Sequence, residues 1–407
     1  MGKLIVKNIG MLATPEGKTA RRGAEQGEIR VLHDAYVVIE DGVIAEIGTG
    51  IPVEEGAEVV DAQGKLVTPG LVDAHTHLIF GGWRQNELGL KLHGATYLDI
   101  LAMGGGILST VNATRAATEE ELTDKARAAL DEMLSLGVTT VEAKSGYGLD
   151  MDNELKQLRA IRRLNEEHQV DLVSTFLGAH AVPKEYKNDR EAYIRLLCEE
   201  VIPAVAKSGL AEFCDVFCET GVFSAAESKT ILEAGKKWGL IPKIHADEID
   251  PIGGSQLTAE VGAISAEHLI VCPPAGIEAM AKAGTVACLL PATSFYLGST
   301  FAPARAMIDA GVPVAMASDF NPGSCPSLNL QLVMNLGCLK YRLTPEEVLT
   351  AVTLNGAAAI HRADRLGSLE VGKQGDLVLW NAPDLDYICY RMGSNLVNTV
   401  VKKGRIV

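Results

Sequence analysis

Two imidazoles one residue apart close the apolar run LVDAHTHLIF, in which His75 and His77 end a segment of strand length. In an extended chain residues i and i+2 point to the same side, so both rings can reach one ion. Neutral imidazole suits zinc or iron, and an added histidine and carboxylate would still leave room for water. An HxH pair alone more often packs or hydrogen-bonds than binds metal. Its company changes that balance. His180 ends LVSTFLGAH, His245 stands in IPKIHADE, His268 in AISAEH and Asp319 in VAMASDFNPG, each at the end of an apolar segment. Five histidines and one acid thus repeat one placement, and a metal site accounts for the pattern. His33, His93, His168 and His361 fall in loops or helical patterns and read as surface or packing residues.

The elements that must carry these residues follow from periodicity. Eight strand-like segments recur between about 68 and 365: GLVDAHTHLIF, GVTTVEAKSGYG, DLVSTFLGAH, FCDVFCE, IPKIHADE, AISAEHLIV, TVACLLPAT and PVAMASDF. Between most of them lie helical patterns such as EEELTDKARAALDEMLSLG, ELKQLRAIRRLNEEH and SAAESKTILEAGKKWG, with apolar residues three and four apart. Eight strands alternating with helices predict an α/β fold, a (β/α)8 TIM-like barrel of residues 68–365. In such a barrel the carboxyl ends of the strands form the face on which sites are built, and the histidines fall on those ends. A doubly wound open sheet is the runner-up, weakened by the lack of a GxGxxG fingerprint or a P-loop. Residues 1–67 read instead as short β segments punctuated by turns, including Asp41-Gly42 at a hairpin position, in antiparallel grammar. The tail 366–407 repeats that grammar in GSLEVGKQGDLVLWNAP and NTVVKKGRIV. Two or three strands are marginal alone, so one small β-sandwich domain built from both chain ends is preferred to two separate caps. The polar stretch Pro15 to Glu28 reads as a solvated insertion between its strands.

Composition limits the partners. With 407 residues, 47% hydrophobic, the chain can bury a large core. A formal net charge of -15 and a pI near 5.1 oppose nucleic acid and anionic membrane surfaces, so an anionic substrate needs a local cation. The start MGKLIVKNIGMLAT lacks a secretion-signal core, and no apolar run is long enough to span a bilayer, which together predict a cytoplasmic protein. Eight scattered cysteines show neither zinc-ribbon spacing nor disulfide-scaffold density, and are expected to be reduced.

The order TPGLVDAHTH, IPKIHADE, ISAEH and MASDFNPG, flanked by β segments at both ends, resembles the amidohydrolase superfamily of barrel metallohydrolases. GGWR, GGGILSTV, TTVEAKSGYGLD, TFLGAHAVP, CDVFCETGVFS, KIHADEIDPIGG and ASDFNPGSCP extend the resemblance through nearly the whole chain. They narrow it to the branch that opens the cyclic amide of 4-imidazolone-5-propanoate to N-formimidoyl-L-glutamate in histidine degradation. The resemblance implies His75, His77, His245 and Asp319 as ligands of one zinc or iron ion per subunit, with metal-activated water as nucleophile. It implies Glu248 as the proton shuttle, His268 as an orienting or oxyanion group, and a share of the proton work for Asp319. Arg84 would anchor the substrate propionate, and Tyr147, His180, Glu248, Asn321, Gly323 and Ser324 would contact the ring and its substituents. It also implies a homodimer acting on a small molecule. A mononuclear site fits the lack of an obvious carbamylable lysine in LGAH or VFCE, although Cys218 and Glu219 offer donors for a second ion. Lys144 reads as an ion-pair partner. Two residues depart from the expected pattern: Trp83 is bulky beside Arg84, and Cys325 stands where a serine is expected. An aminohydrolase deaminating another small heterocycle would share the ligands and the glutamate. A catalytically silent barrel would be expected to have lost some of these groups, and all are present.

Overall fold

The computed structural model describes residues 2–94 and 103–407. Chain order first lays down a mixed sheet from β1 (Lys3–Thr14), β2 (Arg30–Glu40), β3 (Val43–Thr49), β4 (Ala57–Asp61) and β5 (Leu66–Pro69). The hairpin between β2 and β3 turns on Asp41 and Gly42, both at positive φ (49° and 86°), a left-handed pair that Asp-Gly adopts at low cost. The grammar is not antiparallel throughout, because β4 and β5 both pair parallel with β1 along one edge. Gly10 sits where they succeed one another; a Cβ there would lie 2.0 Å from the Gly64 carbonyl oxygen, so only glycine lets the turn cross.

Eight parallel strands follow: β6 (Leu71–Thr76), β7 (Val138–Lys144), β8 (Asp171–Ala179), β9 (Phe213–Cys218), β10 (Ile241–Ala246), β11 (Ser265–His268), β12 (Val286–Leu289) and β13 (Val314–Met316). Each pairs with its predecessor and successor in chain order. The ring closes between first and last: the Asp319 N–H donates to the His75 carbonyl at 3.0 Å, the His77 N–H to Phe320 at 2.9 Å, and Ser318 donates to the Asp73 carboxylate through both its amide and its hydroxyl. The helices between strands are fixed by local chemistry. Thr118 and Ser224 open Glu119–Ser135 and Ala225–Lys237 with capping boxes to Glu121 and Glu227, while Asp150 caps Met151–Glu167.

The chain then returns to the first sheet with β14 (Leu377–Trp380), β15 (Val397–Lys402) and β16 (Arg405–Ile406). Strand β14 pairs antiparallel with β5, so both chain ends share one sheet in the order β16-β15-β14-β5-β1-β2-β3. Its own core joins Leu4, Val6, Ile9 and Val37 from one end to Leu377, Leu379 and Val401 from the other. Neither end could bury these residues alone.

One expectation needs correction. Half of the Pro15 to Glu28 stretch, Lys18, Thr19 and Glu25 among it, faces solvent, but the stretch is also docked on the barrel. Gln26 is fully buried and its side-chain amide makes a strand-like pair with Val314 at the start of β13, at 3.0 Å in both directions. The Arg21 N–H donates to Asn355 at 2.7 Å. The segment is polar because its polar groups complete the barrel's lower edge, where backbone N–H and C=O would otherwise be orphaned.

Candidate active site

The strand ends deliver the predicted residues to one place. The rings of His75, His77 and His245 are buried, and one nitrogen from each falls within 4.8 Å of the others. Asp319 Oδ1 lies 3.6 Å from His75 Nε2 and 3.5 Å from His77 Nε2. His75 Nδ1 lies 2.9 Å from the Glu267 carboxylate and His245 Nδ1 3.1 Å from Asp215, which requires the proton on Nδ1 and turns each Nε2 lone pair inward. Both Nε2 atoms are buried and have no hydrogen-bond partner among the described residues. Buried orphan acceptors are costly, and three converging imidazoles with a carboxylate are the donor set of a divalent zinc or iron centre. The residues fit a metal ion.

Backbone strain marks the same spots. Asp247, His268 and Asp319 follow or end β10, β11 and β13 with φ of 52°, 67° and 55°. Non-glycine residues avoid that region at roughly 1–3 kcal/mol each, and such outliers cluster where side chains are aimed. The titrating groups respond to burial. It drives His75 and His77 far below the ordinary imidazole range, aided by Lys144 and His180 respectively, so both are neutral. Burial works the same way on His245, but the Asp215 charge and hydrogen bond outweigh it and raise the group, so an incoming cation competes with a proton there. Burial lifts the Asp319 carboxyl and pushes Glu248 up to about 7. Glu248 Oε2 lies 3.6 Å from His268 Nε2, and burial lowers His268 to about 4.

Around this cluster stand the other predicted residues. His180 stacks on His77 with centroids 4.9 Å apart and planes 11° apart, held by its Nδ1 contact of 3.1 Å with the Gly146 carbonyl. Tyr147 packs on both rings, its phenol pushed up by burial. The Arg84 charge reaches Tyr147 and His180. Its guanidinium occupies the place of a Gly323 side chain, where a Cβ would fall 1.0 Å from Nη2, so the glycine makes room for the arginine. Asn321 is occupied with its own loop: its Oδ1 accepts from the amides of Gly323 and Ser324 at 2.8 Å each, and its Nδ2 donates to the Asp319 carbonyl at 2.7 Å and to Ser324 Oγ at 2.9 Å.

Trp83 and Cys325 find their places outside the pocket chemistry. Trp83 meets Phe80 and Phe320 edge-on beneath the Lys125 ammonium, which bonds the Gly81 carbonyl; this pins the loop that carries Arg84. Cys325 is buried behind the loop, with its carbonyl accepting from the Asn321 amide at 2.9 Å. All eight cysteines are free thiols. Glu219 accepts from the amides of Thr220, Ile249 and Asp250 at 2.7, 2.8 and 3.1 Å, so its oxygens hold the strap just after Glu248. His33 lies on strand β2 and not in a loop, with its ring on the Gly10 carbonyl. Sequence reasoning missed Asp215 and Glu267. Their signal was an acid inside an otherwise apolar strand, FCDVFC and SAEH.

A closed parallel barrel with histidines at the carboxyl ends of its strands defines a class, and the amidohydrolase family model matches residues 66–407. The chain belongs to that family. It is 53% identical over 414 residues to an imidazolonepropionase of Alkaliphilus metalliredigens, covering 100% of this chain and 98% of the relative. It is 52% identical over 411 residues to that of Brevibacillus brevis (99% and 97%), and 54% over 404 to that of Bacillus mycoides (98% and 95%). The imidazolonepropionases are therefore the branch into which it falls. Among solved structures it is similar to atrazine chlorohydrolase TrzN from Arthrobacter aurescens complexed with zinc (TM-score 0.73, 17% identity, 99% and 94% covered). It is likewise similar to a zinc-bound adenosine deaminase from Xanthomonas campestris (0.72, 21%, 99% and 92%). At such identities these two share the fold. No helix among the described residues is long and apolar enough to cross a membrane.

Proposed function

We propose that this enzyme hydrolyses the cyclic amide of 4-imidazolone-5-propanoate to N-formimidoyl-L-glutamate, a step in the degradation of histidine to glutamate. The observation that carries the reading is the convergence of His75, His77 and His245 on one point beside Asp319, with Arg84 as a cation at the rim of an acidic protein. A zinc or iron ion held by these four residues would lower the pKa of water toward ~7 and polarise the ring carbonyl.

The chain's own groups do the rest. Glu248, near 7, is balanced between accepting and returning a proton, so it takes one from the attacking water. The C–N bond of the ring amide breaks, the departing nitrogen receives that proton, and the carbonyl carbon, still bonded to the rest of the opened ring, becomes a carboxylic acid that ionises by releasing its proton to solvent. His268, within 3.6 Å of Glu248, orients the water or faces the oxygen on which negative charge builds, and Asp319 shares the proton work. Arg84, preorganised on Gly323, pairs with the propionate; His180 and Tyr147 form one wall, and the 321–324 loop with Asn321 and Ser324 forms another. One metal per subunit and a homodimeric assembly come from the resemblance, and a cytoplasmic setting, expected from the lack of a secretion-signal core in the sequence, completes the proposal.

The test is direct. Metal-loaded protein is mixed with freshly generated imidazolonepropanoate and loss of its ultraviolet absorbance is followed. Enzyme-dependent loss with formimidoylglutamate as product supports the reading; a rate equal to the spontaneous background with metal bound overturns it. Ammonia release from a purine or pyrimidine would point instead to a deaminase. Elemental analysis decides zinc against iron, and light scattering the assembly.

A further inference from the structure

Below the histidines the barrel carries a layer of charge that the proposed chemistry does not use. Glu142, Lys144, Asp215, Lys243 and Glu267 are all fully buried. Lys144 Nζ lies 2.8 Å from Glu142 and 2.9 Å from Asp215, and Asp215 in turn holds His245. Glu142 is steadied by the Thr175 hydroxyl and by the Thr76 amide at 3.4 Å, the residue between the two histidines of the HxH pair. A second chain rises from the barrel floor: Lys243 Nζ donates to the Ala359 carbonyl at 3.1 Å, lies 3.3 Å from Glu267, and Glu267 holds His75. The Ser265 hydroxyl takes up the same Glu267 oxygen that faces Lys243, leaving the other for the histidine.

We infer that Lys144 and Lys243 are positioning residues for the metal centre: each ammonium pins a carboxylate that fixes one imidazole with Nδ1 protonated and Nε2 free. This rests on the metal reading above. The two relays differ in detail: Glu267 gives one oxygen to Lys243 and Ser265 and the other to His75, whereas Asp215 Oδ2 meets both Lys144 at 2.9 Å and His245 Nδ1 at 3.1 Å. Removing Lys144 would leave Glu142 and Asp215 sharing a dry space as like charges, and Asp215 would turn from His245. The formal charges agree with a cationic occupant. Within these two relays three carboxylates against two ammonium groups leave one negative charge beneath the rings, and Asp319 adds a second at the mouth, an excess that favours a cation. His77 has no such support among the described residues: its Nδ1 is buried and unpartnered. Its orientation comes from stacking on His180.

The experiment compares wild type with Lys144→Met, Lys243→Met, Asp215→Asn and Glu267→Gln, each loaded separately with zinc and with cobalt. Zinc release into excess chelator is timed, the visible spectrum of the cobalt form is recorded, and melting of the metal-free protein is measured. Each variant is expected to release zinc roughly 10–100-fold faster, the range for lost outer-sphere partners, and to shift the cobalt bands. Gln26→Ala, at the barrel's lower edge, controls for general destabilisation and should lower melting without moving either signal. Folded variants that keep zinc within twofold of wild type with an unchanged cobalt spectrum overturn the inference. If the methionine variants do not fold, Lys144→Gln and Lys243→Gln, which keep a donor without the charge, decide it by the same measurements. Wild type that takes up neither metal would instead sink the metal reading itself.

Discussion

The mouth and the floor of this barrel are built from similar polar material and treat it differently. At the floor the long-range polar contacts are made: Gln26 exchanges hydrogen bonds with Val314, Asn355 binds Arg21 and Val314, and Lys373 donates to Gly17, Ala363 and Ser368. At the mouth, buried nitrogens of His75, His77, His245 and His268 have no hydrogen-bond partner among the described residues, and His268 and Asp319 hold strained backbone. Four unpartnered buried imidazole nitrogens beside one carboxylate are a concentration that a bound cation would relieve, so the contrast separates groups that stabilise from groups that act.

The comparison can be broken most severely at the metal ligands. His245→Ala should abolish metal retention and cut turnover by roughly three orders of magnitude or more, the several kcal/mol of metal-derived stabilisation at ~1.36 kcal/mol per tenfold; metal content and steady-state rates check it. Next comes Glu248→Gln, expected to lower kcat by about 10²–10⁴ with metal retained. Because burial raises Glu248 to about 7 and the reaction needs its carboxylate, wild-type kcat/KM should fall as pH drops below that value. The glutamine variant should lose this limb, which a pH profile would reveal. Arg84→Met should raise KM by roughly 10–100-fold with a smaller change in kcat, as for a lost charged hydrogen bond of about 1.5–3 kcal/mol. Gly323→Ala should act in the same direction by displacing the guanidinium, and substrate titrations of both would sharpen the link between them. Smallest for catalysis is Gln26→Ala, which should cost about 1–3 kcal/mol in chemical denaturation and leave kcat/KM unchanged. A large loss of activity there would erase the distinction between floor and mouth.

Much of this was legible before folding. The eight strand segments, the placement of histidines on their ends and the two-ended small domain follow from periodicity and turn chemistry, which are local. The docking of residues 15–28 was not legible, because a polar segment that satisfies buried backbone has the same composition as one that faces water. Asp215 and Glu267 escaped for a related reason. An acid in an apolar strand is only an anomaly until the structure shows which ring it holds.

By itself the sequence determined the kinds of donor available and the strand ends on which they stand: HxH, the histidine and glutamate of HADE, the aspartate of SDFNPG and the arginine of GGWR. It also determined the branch of the family, since those motifs run the length of the chain. Tertiary structure alone decided which nitrogen of each ring faces the ion, that Gly323 exists to seat Arg84, and that two buried lysines stand behind the histidines. The physical reason is distance along the chain. His75 and Glu267 are 192 residues apart and Gln26 and Val314 are 288 apart, so their pairing is set by barrel closure and burial, which no local pattern encodes.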